Sequence, residues 1–351
     1  MNPRTLLIVV ALLAASFPAV AADSRAAFLH LLDRPPVPLA AHASNAAPVE
    51  ASPDLVRIDF SFASDVHQRV PGLLLKSAGR PGPRPVAISL HGTGGTKESQ
   101  LALLTQLARD GFVAIAIDGR HHGARSAAGK GAADYQAAIL RAFRAATASP
   151  DAPREYPFFY DTAWDVMRLI DYLETRDDVD ASRIGLIGFS KGGIETYLAA
   201  AADPRIAVAI PCIGVQSFHW AFSHEPAWRS RIETIQSAFD AAAQDSNIAT
   251  PDAAFVRTFY DRVAPGLYSD FDGPAMLPLI APRPLLVING ETDLRTPLPG
   301  LLECTDAARA AYQAAGADDH FVLHIQSQTG HTVTPASLQL ARAWFAYWLK
   351  P

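Results

Sequence analysis

The chain has 351 residues, 49% of them hydrophobic and 19% charged, which is enough apolar material for one large α/β domain rather than two small ones. A formal net charge of -5, with no Lys/Arg-rich run, excludes the basic footprint of a nucleic-acid-binding protein. Two cysteines, Cys212 and Cys304, are too few for a disulfide scaffold; a bridge between them and a pair of buried thiols both fit the sequence.

At the amino terminus Arg4 precedes an apolar stretch from Leu6 to Val20 that ends in small residues at Ala19, Ala21 and Ala22. This is the pattern of a secretory signal peptide over residues 1–22, and its core is too short and too interrupted, by Ser16 and Pro18, for a membrane anchor. The mature protein is therefore expected to be secreted or periplasmic, with no membrane anchor. Residues 23–53 carry a short helical pattern, Ala26 to Leu32, then a Pro/Ala/Ser-rich stretch that reads as a surface arm. The remaining residues, 54–351, are expected to form the working domain.

Residues 56–62 alternate between apolar and polar side chains and residues 70–75 do so less strictly, which predicts an antiparallel edge pair. The pattern then changes to continuous apolar runs at 86–90, 112–117, 184–187, 206–211, 285–288 and 321–325. Helical segments lie between or after them at 98–109, 162–176, 194–202, 304–315 and 336–349. Such alternation predicts an α/β fold with a mostly parallel sheet covered on both faces, whose ligands bind beyond the carboxyl ends of the strands. Between Gly214 and Arg283 the rhythm breaks. Trp228, Ile232, Ile235 and Phe239 recur at helical spacing, as do Phe255, Phe259 and Val263, so a helical cap is expected over about 214–283. Within it Phe218, His219, Trp220 and Phe222 follow a strand end and are candidate pocket residues for substrate.

The chemistry is carried by Gly188-Phe189-Ser190-Lys191-Gly192, a G-x-S-x-G run between an apolar strand and an alanine-rich helix. A serine on a tight strand-to-helix turn needs glycines two residues to either side, because a Cβ there meets neighbouring backbone. Serine is a poor nucleophile until a base takes its proton, and that base must be held by a third, usually anionic, group. Downstream, Asp293 follows an apolar strand and His331 follows the last one, with Glu291, Asp318 and Asp319 as competing acids. Serine, acid and histidine stand in the order this topology requires.

On these motifs the chain from about Val56 to Leu349 resembles an α/β-hydrolase, nearest to the branch of dienelactone hydrolases, acetyl xylan esterases and prolyl-oligopeptidase-like enzymes. The resemblance implies Ser190 as nucleophile, Asp293 as orienting acid and His331 as general base. It also implies an oxyanion hole from the backbone N–H groups of Lys191 and of the loop His91-Gly92-Thr93-Gly94-Gly95, with Thr93 the donor and Gly94 the next choice. The segment Asp118-Gly119-Arg120-His121-His122-Gly123 resembles a family segment whose role is to brace active-site loops. No cofactor is expected. His91, His121 and His122 lack further ligands at useful spacing, so no metal is expected either. The activity these features imply is cleavage of carboxylic esters through an acyl-enzyme, on a small-molecule or carbohydrate ester such as an acetyl or aroyl ester. The alternatives are a prolyl-oligopeptidase-like peptidase, disfavoured because only about 60 residues precede the parallel sheet, and a non-catalytic binding protein on the same fold.

Overall fold

The computed structural model describes residues 24–350 apart from 36, 51, 81, 128–130 and 151, so the expected signal segment 1–22 lies outside the described residues. Ten strands form a single sheet: β1 (His42–Ala43), β2 (Ala47–Val49), β3 (Ser52–Asp65), β4 (Gln68–Ser77), β5 (Arg84–Leu90), β6 (Val113–Ile117), β7 (Val179–Phe189), β8 (Ile206–Cys212), β9 (Leu285–Gly290) and β10 (Phe321–Gln326). Their spatial order is β1-β3-β4-β6-β5-β7-β8-β9-β10, with β2 also paired to β3. From β6 to β10 every neighbouring pair is parallel, while β3 and β4 run antiparallel at the other end.

The parallel strands read as unbroken apolar runs because both of their faces are buried. In β6, Val113, Ile115 and Ile117 point into one core, and Ala114 and Ala116 into the other. The smaller core is closed by α2 (Leu101–Arg109) and the last helix, through Leu104, Leu107, Phe345 and Leu349. The larger is closed by a first helix at 24–32, α1, and by α3 (Ala133–Ala148), α4 (Tyr160–Glu174) and α5 (Lys191–Ala202). It continues into α6 (Phe218–Ser223), α7 (Arg229–Ile232), α8 (Gln236–Asp245), α9 (Ala253–Val263), α10 (Gly273–Met276) and α11 (Leu298–Ala314). The chain ends in α12 (Pro335–Leu349).

Residues 214–283 are thus largely helical, and their apolar stripe is core: Phe239, Val256, Phe259 and Val263 are all buried. Residues 23–53, expected as a short helix followed by a surface arm, divide in the same way among the described residues. Residues 42–49 are mostly exposed and pair along β3, but Phe28 and Leu32 of α1 are fully buried. Arg25 fastens α1 to the body by donating to the carbonyl oxygens of Ala201 and Leu279 at 2.7 and 2.6 Å. Cys212 and Cys304 are free buried thiols.

Candidate active site

Ser190 sits between β7 and α5 with φ 55° and ψ -113°, a backbone conformation that a non-glycine residue holds only when its surroundings enforce it. Its N–H donates to the Cys212 carbonyl at 2.9 Å, which fixes the turn to the end of β8. A Cβ at position 188 would lie 2.1 Å from the Gly192 carbonyl oxygen, and one at position 192 would lie 2.5 Å from that of Leu90. The tight turn therefore requires both glycines, and it holds the Ser190 hydroxyl clear of the sheet.

The other two members arrive on the turns after the last two strands. His331 Nε2 lies 2.8 Å from Ser190 Oγ, and His331 Nδ1 lies 2.8 Å from Asp293 Oδ2. Asp293 is buried and also accepts from the N–H groups of Arg295 and Thr296 and from the Thr296 hydroxyl. Burial alone would raise its carboxyl; the hydrogen bonds from His331 and Thr296 outweigh this and hold it below the usual carboxylate range. With Oδ2 accepting from Nδ1–H, the unprotonated Nε2 faces the serine, which is the tautomer a base needs. Glu291, the competing acid, is exposed and accepts instead from the Gln328 N–H and the Ser327 hydroxyl. Asp318 and Asp319 precede β10, on the far side of that strand from His331.

Gln326 is a residue that sequence reasoning missed. It is buried, donates to the Thr332 carbonyl and accepts from the Thr334 N–H, both at 2.8 Å, so it clamps the turn that presents His331. A glutamine closing the last, mostly apolar strand, just ahead of the histidine turn, was the available signal.

Lys191 is the first residue of α5, where an N–H has no intrahelical acceptor, and with Thr93 it lines the cleft over Ser190. The Lys191 ammonium turns inward to Glu195 Oε1 at 2.5 Å, leaving only the backbone for the cleft. The loop carrying Thr93 passes close by: a Cβ on Gly92 would lie 3.6 Å from that of Ser190.

Beneath this loop, the 118–125 segment ties several elements together. The Asp118 carboxylate accepts from the N–H groups of Lys97 and Ala124 and pairs with the Lys97 ammonium at 2.9 Å. Arg120, fully buried, reaches Asp165, Asp65 and Glu155. His91 accepts the Gly119 N–H at Nε2 and faces the Gly92 carbonyl at Nδ1; desolvation, aided by the Lys191 charge, pushes it down to about 4. His122 Nδ1 faces the Arg120 carbonyl, so both rings are engaged by backbone. Among the described residues no group of three or more His, Cys, Asp or Glu side chains is placed to hold a metal ion.

The cleft holds about 420 Å³ of free space, part of it open to solvent. Phe158, Phe159, Ile194 and Ile213 make its apolar side; Gln216, Phe218, Ser230, Arg231, Thr234 and Tyr260 come from the 214–283 segment. Of the four pocket residues expected from sequence, Phe218 is in the wall and three are elsewhere. Phe222 is buried behind it against Tyr260 and Tyr268, Trp220 stacks on His224, and His219 is exposed. An amphipathic run places its residues on several faces in turn, so proximity to the strand end could not single out the inward one.

The sheet order, the elbow and the strand-end placement of the three polar residues define an α/β-hydrolase esterase. Sequence and structure comparisons agree. The family model for acetyl xylan esterase (AXE1) matches residues 43–218, half of the chain, and the chain belongs to that family. The model for fungal glucuronyl esterase matches residues 156–316. Putative hydrolase YtaP of Bacillus subtilis is 25% identical over 296 residues, covering 81% of this chain and 85% of that protein. The 4-O-methyl-glucuronoyl methylesterase of Hypocrea jecorina is 30% identical over 179 residues, covering 50% of this chain but only 37% of its own length. Among solved structures, a glucuronoyl esterase from Solibacter usitatus superposes with a TM-score of 0.63 at 17% identity, covering 92% of this chain and 91% of that one. An acetyl xylan esterase from Paenibacillus sp. R4 gives 0.59 at 20% identity, covering 95% and 94%.

Proposed function

We propose that this chain hydrolyses esters of carbohydrates through an acyl-enzyme on Ser190, and that the observation carrying the reading is the pair of 2.8 Å contacts linking Ser190, His331 and Asp293. His331 Nε2 takes the hydroxyl proton as Ser190 Oγ attacks the ester carbonyl, while Asp293 stabilises the imidazolium that forms. The carbonyl oxygen, gaining negative charge, is received by the N–H groups of Lys191 and Thr93. His331 then gives its proton to the departing alcohol; next it takes a proton from a water that attacks the acyl carbon, and returns it to Ser190 Oγ as the acyl–Oγ bond breaks and the acid is released. The names of the relatives, acetyl xylan esterase and glucuronoyl methylesterase, support a carbohydrate ester as substrate. Export through the amino-terminal segment belongs to the same reading; no helix among the described residues is long and apolar enough to cross a membrane.

The test compares an acetylated xylo-oligosaccharide, 4-nitrophenyl acetate and a proline anilide as substrates of the wild type and Ser190→Ala. The esters should turn over, and Ser190→Ala should lose several orders of magnitude in kcat together with fluorophosphonate labelling, while keeping its fold. Labelling at another serine, or turnover of the anilide alone, would overturn the assignment.

A further inference from the structure

Charges around the cleft are matched in pairs, with one exception. Asp293 faces His331, Lys191 is paired with Glu195 at 2.5 Å, and Arg295 meets Glu233 through two contacts of 2.8 and 2.9 Å. Arg231 forms no ion pair among the described residues, although it is only 8% exposed and lines the same cleft as Ser190; the nearby Asp293 and Glu233 act on it only at longer range and are themselves paired with His331 and Arg295. Its Nε donates to the Ser230 hydroxyl at 3.1 Å, its guanidinium carbon stands 6.0 Å from the centre of the Phe218 ring, and its carbonyl is held by the Tyr260 hydroxyl at 2.7 Å. The side chain is thus packed in place and not free to swing into water.

A buried cation with no carboxylate in direct contact is costly, and sites tolerate one where a ligand completes it. Desolvation brings Arg231 down to about 10, which still leaves it charged at neutral pH. A second orphan lies in the same wall. Gln216 is 1% exposed, and neither its amide nitrogen nor its amide oxygen has a hydrogen-bond partner. A guanidinium offers a planar fork that suits a carboxylate, and a primary amide can both donate to and accept from a hydroxyl. An acetyl ester of a neutral sugar could engage Gln216 through a hydroxyl but would leave Arg231 without a direct partner.

We propose that Arg231 binds a carboxylate carried by the ester substrate, with Gln216 beside it taking a neighbouring hydroxyl, so that the preferred esters are acidic and hydroxylated. This deepens the esterase reading and rests on it. The carboxylate can belong to the acyl half or to the alcohol half, and two substrate pairs separate these sources. 4-Nitrophenyl hydrogen adipate against 4-nitrophenyl adipamate places the charge on the acyl side; 4-acetoxybenzoate against 4-acetoxybenzamide places it on the alcohol side.

For the wild type, kcat/KM should favour the acid over its amide by at least about tenfold in one pair, the scale of a charge-assisted contact. Arg231→Gln should bring that ratio close to one, and Arg231→Lys should keep part of it. Adipate or benzoate should also inhibit 4-nitrophenyl acetate hydrolysis by the wild type competitively and far better than adipamide or benzamide, a measurement that needs no variant to fold. Hydrolysis of 4-nitrophenyl acetate with no acid preference in either pair, a preference that survives Arg231→Gln, or equal inhibition by acid and amide would overturn the proposal. Absence of turnover on every ester, with no fluorophosphonate labelling, would instead overturn the esterase reading beneath it.

Discussion

Replacing Asp293 with asparagine removes one charge while keeping nearly the same shape, so its effect can be worked from the contacts around it. Oδ1 accepts the N–H groups of Arg295 and Thr296, which selects the amide oxygen for that side and turns the NH2 group toward His331 Nδ1. Nδ1 must then accept, the ring proton moves to Nε2, and Nε2 presents a hydrogen to Ser190 Oγ where a base is required. The imidazolium of the transition state also loses its counter-charge. Two unit charges about 4 Å apart at an effective dielectric constant of about 20 attract by about 4 kcal/mol, which corresponds to roughly a thousandfold in rate. The tautomer penalty adds to this, so Asp293→Asn should lower kcat by about 10³ to 10⁴. Glu291→Gln should cost less than about tenfold, since Glu291 serves only the 327–328 turn. The assay is steady-state hydrolysis of 4-nitrophenyl acetate, with circular dichroism to verify folding. A folded Asp293→Asn that retains more than a tenth of kcat, or a Glu291→Gln that is the more damaged of the two, refutes the reasoning.

Acid should weaken the fold through Asp165. Burial would raise this carboxyl, but the charges of Arg120 and Arg125 bring it down to about 2 from 3.8. A depressed folded value gives stability that is complete above the unfolded value and lost as pH falls from about 4 through about 2, roughly 2 kcal/mol in all. Urea unfolding midpoints should fall across that window, and the fall should shrink in Asp165→Asn; an unchanged slope counts against this origin. Phe222 is 1% exposed and meets Tyr260 edge-on at 4.8 Å, so Phe222→Ala should destabilise by about 3–5 kcal/mol. Half-buried Trp220, stacked on exposed His224, should cost clearly less on truncation. Thermal unfolding compares the two variants, and the opposite ranking would show that the packing behind the cleft is misjudged.

The parallel sheet was legible because a strand buried on both faces leaves an unbroken apolar run, and the elbow because its geometry tolerates only glycine at two positions. Asp293 was favoured over Glu291 on chain order and on the resemblance; that Asp293 is buried facing the imidazole and Glu291 is exposed is a difference a sequence does not contain. Helix α3 escaped the reading although Tyr135, Ile139, Ala142, Phe143 and Ala146 form a buried stripe at helical spacing, since so much of it is alanine. The strand β7 begins at Val179, five residues before the apolar run, because backbone pairing extends through polar residues that hydropathy does not register. The segment of Arg120 was marked by its resemblance, but its enclosure, like that of Arg231, was not: an arginine in a sequence reads as surface, and only its surroundings reveal that it is enclosed.

The two sides of the cleft are held in unlike ways. Phe158 and Phe159 stand on a segment flanked by Glu155, Asp161 and Asp165, and these carboxylates are pinned by Arg120, Arg125 and Arg34 to elements from across the molecule. Opposite them, residues 230–234 are held by the partly exposed Arg295–Glu233 pair, by the Tyr260 hydroxyl on the Arg231 carbonyl and by the apolar packing of Trp228, Ile232 and Ile235. A change on the first side would propagate through the ion network into the loop that carries Thr93, whereas the second side can be rewritten with the nucleophile and its partners left where they are. A laboratory library meant to retarget the protein therefore belongs in residues 228–234 rather than around 155–165.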